Sequence, residues 1–188
     1  RLLLVVPLIN NIMKKKPQRF ELFLWKLTPL LITLLLFIIY ITPKHLWGIG
    51  YIMPPLPLIA IFYWGRFGTS EMPYWFVFAI GLLMDAMTGT HLGLSPILYL
   101  LFIAILHAQS KYIHKEGFVI IWGYFMLLLA GISFLQWLII SSLSNQFYAM
   151  IPAFIQLLAT ISIYPLFHHL FDKLTDNIKK RHWMLKHG

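Results

Sequence analysis

Six stretches of this chain are each apolar over about 20 residues, the length an α-helix needs to cross the hydrocarbon core of a bilayer. They fall at about 22–41, 46–64, 73–87, 92–108, 118–140 and 148–170. Such spans consume most of a 188-residue chain and leave only short loops and two tails. No extramembrane domain fits in the remainder. A chain that is 60% hydrophobic and 11% charged has too little polar surface for a soluble domain of this length. The pattern therefore predicts an all-α fold, a polytopic membrane bundle of six transmembrane helices.

The distribution of charge sets its orientation. Lys14 to Lys16, Arg19, Lys26, Arg66, Lys111, Lys115, Lys173, Lys179 to Arg181 and Lys186 all fall on one side of the expected spans. With Arg1 set aside, only Lys44 falls on the other. Cytoplasmic loops carry the excess of Lys and Arg, so both termini are expected in the cytoplasm, in agreement with an even number of spans. Trp25, Trp47, Trp64, Tyr74, Trp75, Tyr112, Trp137 and Tyr148 fall near span ends, where interfacial anchors sit. The net charge of +9 reads as topology signal and contact with anionic lipid; there is no basic face of a folded domain to hold nucleic acid.

Met13, followed by Lys14 to Lys16, reads as a natural start. Residues 1–12 are then an upstream in-frame extension or cloning remnant, with a short amphipathic anchor as the alternative. Residues 13–188 form a single integral membrane domain. The C-terminal stretch from Asp172 to Lys186 reads either as a basic surface helix or as disordered chain.

The second span contains Pro54, Pro55 and Pro57. Three prolines remove backbone donors, so this span must kink or begin as irregular chain covered by its neighbours. Asp85 is the acidic residue inside a span. A carboxylate at the centre of a membrane helix costs about 2.5–3.5 kcal/mol on insertion scales; Asp85 lies near the outer end of its span, where the cost falls. Two roles are open to it: a proton or ion site, or a cap on Thr88 and the backbone amides of the following turn. The residues around it, from Gly81 to Pro96, are the most organised stretch of the chain. Gly81 permits close helix approach, Gly89 and Gly93 suit a turn with positive φ, and Pro96 falls in the first turn of the next span.

Catalytic and metal signatures were sought residue by residue. The absence of Cys removes thiolate ligands and thiol nucleophiles together. His168 and His169 are adjacent and point about 100° apart on a helix, unlike the i, i+4 pair of a zinc site. His107 and His114 lack a third ligand. No Gly-x-Ser-x-Gly elbow, His-Glu-x-x-His or phosphate-binding glycine loop occurs. No enzyme, no metal and no cofactor is expected.

The stretch Met53-Pro54-Pro55-Leu56-Pro57 through Tyr63-Trp64, with Gly81-Leu82-Leu83-Met84-Asp85 and Leu92-Gly93-Leu94-Ser95, resembles MreD. That is the rod shape-determining inner-membrane family of bacterial cell-wall elongation. The resemblance covers the chain from Met13 onward, with its specific motifs between Met53 and Leu98. The extra N-terminal residues and the Pro54-Pro55 doublet depart from the family's pattern. It implies a non-enzymatic scaffold that maintains rod cell shape by binding MreC. Direct or indirect association with RodA, a class-B penicillin-binding protein and MreB is implied too, and a bundle similar to the substrate-binding subunits of energy-coupling-factor transporters. Asp85, Gly81, Gly89, Gly93 and Pro57 take the family's acidic, glycine and proline positions, none catalytic. A homodimer is a further possibility, and the partner seam is expected on parts of the second and third spans. The alternative is a small-solute binding subunit of a transporter, which needs a polar pocket between helices. Gln136, Gln156, Ser133 and Ser162 are its candidate groups.

Overall fold

The computed structural model describes residues 27–42, 53–68, 71–113, 116–143 and 149–187, and every regular element among them is an α-helix. The helices are α1 (Leu27–Ile41), α2 (Leu56–Gly65), α3 (Tyr74–Thr88), α4 (Leu94–Ile113), α5 (Phe118–Leu143) and α6 (Ile151–His187). Residues 1–12, the starts of the first two expected spans, Trp25, Trp47 and Tyr148 lie outside the described residues.

The prolines decide where α2 begins. Met53 to Pro55 is non-helical, and Pro57 falls in the first turn of a helix capped by Pro55. There a missing N–H costs nothing, because the first-turn donors have no intrahelical partner. Among the described residues the chain ahead of α2 is irregular from Met53 to Pro55, and the expected residues 46–52 lie outside the described residues. The freed Met53 carbonyl accepts a 2.8 Å hydrogen bond from the Gln156 side-chain amide on α6. The described helical part of the expected second span is the ten-residue α2, about 15 Å long.

That short helix is the centre of the bundle. All ten of its residues are buried, and Ile59 to Tyr63 are fully so. A helix apolar and buried on every side has neighbours all round it. Phe62 shows which: its ring lies 5.0 Å from Phe125 on α5, 5.7 Å from Tyr164 on α6 and 6.2 Å from Phe102 on α4. Edge-on ring pairs of this kind contribute about 0.5–1.5 kcal/mol beyond their area. At the end of α2, Gly65 lies so close to α4 that an added Cβ would collide with Ile103 and Leu106.

Helix direction alternates. The end of α1, the start of α2, the end of α3, the start of α4, the later part of α5 and the start of α6 surround one cavity. At the opposite end, the C-terminus of α2 meets the later part of α6, and Tyr74 at the start of α3 meets His107 late in α4.

Two helices are long and apolar enough to cross a membrane: Phe118–Leu143, at hydropathy 2.3, and Ile151–Asp176, at 1.4. Their most apolar windows are only 28% and 17% buried within the protein, the reverse of a soluble core helix. The other four apolar helices are shorter among the described residues. α6 continues without a break from the expected span into the basic tail as far as His187, about 55 Å in all. Of the tail's two expected states, the helix is the one formed. Trp64, expected as an interfacial anchor, is buried against Tyr63 and Phe171 instead. Trp75 and Tyr112 are exposed.

In lipid the packing contacts of a core residue count, while the water-transfer contribution of soluble cores is lost. Phe62→Ala is therefore expected to lower stability by about 2 kcal/mol, and Leu127→Ala on the exposed face of α5 to stay within about 0.5 kcal/mol. Reversible detergent unfolding of the purified protein measures both.

Candidate functional site

Asp85 is fully buried on α3, and all its acceptor capacity is turned to the following turn. The Thr90 hydroxyl donates to one carboxylate oxygen at 2.9 Å, and the Gly93 amide to the other at 2.8 Å. The Ser95 amide lies 3.2 Å from both. The first turn of α4 has amides without intrahelical partners and carries the positive end of the helix dipole, so a carboxylate there is doubly favoured. The Asp85 backbone carbonyl accepts from the Gly89 amide at 3.0 Å and closes α3. Gly89, at φ 69°, and Gly93, at φ 100°, occupy the left-handed region the turn needs.

The two helices then run in contact. A Cβ on Gly81 would stand 2.7 Å from the Pro96 backbone, too close for any rotamer change to relieve. Of the sequence-derived residues, Gly81, Asp85, Gly89 and Gly93 are thus brought into one hairpin. Pro57 stands apart at the start of α2.

The opposite end holds a cluster that sequence reasoning missed. Asp172 on α6 accepts from the Tyr63 hydroxyl at 2.5 Å and from Arg66 Nη2 at 3.2 Å, both on one oxygen. Its other oxygen lies 3.2 Å from His168 Nε2. The His168 Nδ1 is 3.2 Å from the Tyr164 hydroxyl, so both ring nitrogens are engaged. The Arg66 guanidinium lies over the Tyr63 ring, 4.4 Å from its centroid. Arg66, counted in the sequence as a topology signal, is buried, and so is His168, considered there only as half of an adjacent pair unsuited to zinc. The signal available was a spacing: His168 and Asp172 are i, i+4 on one helix face. The cluster ties α2 to α6 through side-chain hydrogen bonds and ion pairs. Among the described residues, no three His, Asp or Glu side chains gather where a metal could bind.

Between the helices at the Asp85 end lies a cavity of about 180 Å³. Its lining mixes apolar side chains, Leu58, Met84, Leu129, Ile132 and Leu157, with hydroxyl and amide groups, including Tyr99, Ser95, Thr160, Ser133, Gln136 and Gln156. Three of the four residues expected in a solute pocket are thus present; Ser162 is exposed elsewhere on α6. Among the described residues, no Lys, Arg, His, Asp or Glu lines it.

No family model, curated protein or solved structure matches this chain.

Replacing Asp85 with Ala orphans the Gly93 and Ser95 amides at about 1–3 kcal/mol each, so a loss of roughly 2–6 kcal/mol is expected. Asp85→Asn keeps one acceptor oxygen and should lose about half as much. Gly81→Ala should cost about 1–3 kcal/mol through overpacking against Pro96. Detergent unfolding checks all three, and equal stability of Asp85→Ala and wild type would contradict the capping role.

Proposed function

We propose that this chain is a non-enzymatic, multi-pass scaffold subunit of the bacterial plasma membrane, acting in cell-wall elongation as an MreD-type protein with MreC as its direct partner. In this reading all six helices belong to the membrane, both termini are cytoplasmic and the Asp85 turn faces outward. RodA, the class-B penicillin-binding protein and MreB are reached directly or through MreC.

The observation that carries the reading is the use made of the residues behind the resemblance. Pro57 starts α2, while Gly81, Asp85, Gly89 and Gly93 shape the α3–α4 hairpin. Each serves form, and the Asp85 carboxylate has every acceptor site engaged by its own turn. Large apolar side chains exposed along α5 and α6, such as Leu127 and Leu166, suit a lipid surround, where helices associate by packing and polar contact.

The expected seam needs correction. α2 is enclosed on all sides and presents no surface to a partner. The exposed stripe of α3, through Trp75, Phe78 and Leu82, keeps the helical spacing of a docking face and becomes the proposed seam. The polar cavity favours a second reading, the solute-binding subunit of a transporter, whose partners would be an ATPase pair and a coupling subunit.

Affinity purification of the tagged chain from gently solubilised native membranes separates the two. MreC is expected to co-elute, and Leu82→Trp is expected to reduce its recovery while leaving the unfolding transition unchanged. Co-elution of an ATPase pair would replace the scaffold reading with the transporter reading, and recovery of neither would remove both partner assignments.

A further inference from the structure

The cavity at the Asp85 end is built with more hydrogen-bonding capacity than the protein uses. Ser95 and Tyr99 are each 5% exposed and line it, yet among the described residues their hydroxyls make no hydrogen bond. Ser133 and Gln136, on the facing side of α5, are likewise without a hydrogen-bond partner among the described residues. Gln156 uses its amide nitrogen on the Met53 carbonyl, and Thr160 donates to Gln156 O. The Gln156 side-chain oxygen is thereby held in place on the cavity wall by a fixed amide. Hydroxyls and amides that face a cavity and make no hydrogen bond to the protein are free to bind an occupant.

Size and charge define that occupant. A dry apolar cavity of about 150 Å³ accepts a single benzene ring, so about 180 Å³ accommodates one ring with small substituents. Water alone would satisfy the hydroxyls and amides, but would sit poorly against the apolar side chains of Met84, Leu129, Ile132 and Leu157. A charged molecule is disfavoured. Among the described residues the lining carries no counter-charge, and the nearby Asp85 carboxylate already accepts from Thr90, Gly93 and Ser95. Moving an ion from water into such a site has no compensation.

We infer that this cavity binds a small uncharged molecule of about one ring, carrying both hydrogen-bond donors and acceptors, held between Tyr99 and Ser95 on one side and Gln136 on the other. The inference concerns the cavity alone and holds for a scaffold as well as for a transport subunit: in the first it is a regulatory site, in the second a cargo site.

The probe is nicotinamide, a neutral single ring with an amide that donates and accepts. Nicotinate, matched in size but anionic, is the counter-probe. Each is added to the full chain in lipid nanodiscs, and ligand-observed saturation-transfer NMR is compared with empty nanodiscs. Nicotinamide is expected to show transfer above empty nanodiscs and nicotinate none. Tyr99→Phe and Gln136→Leu should each weaken nicotinamide about fivefold, the loss of one hydrogen bond, with the unfolding transition as a check that both variants fold. Transfer to neither probe means that the cavity holds solvent only and overturns the inference. Equal transfer to both, or binding unchanged in both variants, overturns it as well. Because no partner protein enters the experiment, its result is independent of whether MreC is recovered.

Discussion

Enclosure of α2 is the constraint on which the rest of the bundle depends. A ten-residue helix is too short to cross the hydrocarbon core alone. Its irregular entry at Met53 to Pro55 exposes backbone groups that lipid cannot satisfy. Both problems have one solution: surround it with protein. Phe62 meets rings from three helices, and Gln156 satisfies the Met53 carbonyl. Gly65 lets α4 close in at the far end. The helices around α2 pack on it and on one another, and those such as α5 and α6 leave outer faces apolar and open.

The two ends of the bundle are closed by different chemistry. At one end a single carboxylate, Asp85, organises backbone amides and fixes the crossing of α3 and α4. At the other a second carboxylate, Asp172, collects Tyr63, Arg66 and His168 and so fastens α2 to the long α6.

Much of this was legible in the sequence, for local reasons. The helices from Tyr74 onward start within a few residues of their expected positions, because apolar length, Pro73, Gly89 and Gly117 mark their starts and stops. The glycine and aspartate roles in the 81–96 stretch follow from spacing along one turn. The fate of α2 was only half legible. Its prolines announced an irregular start, but full enclosure depends on neighbours distant in sequence. The Asp172 cluster was hidden for the same reason. Arg66 and Asp172 are far apart along the chain, and each alone reads as an ordinary charge at a membrane surface. Trp64 likewise reads as an anchor until Phe171 is placed against it.

The central claim is an up-and-down bundle set in the membrane with the Asp85 turn outside. The chain contains no cysteine, so single substitutions report position without background. The most direct measurement is maleimide labelling of His91→Cys, in the α3–α4 turn, and Glu116→Cys, in the α4–α5 loop, with a reagent that cannot cross the plasma membrane. The account predicts labelling of His91→Cys in intact cells and of Glu116→Cys only after permeabilisation. Labelling of both in intact cells would mean that α4 does not cross, and the reverse pattern would turn the bundle over; either result contradicts the account.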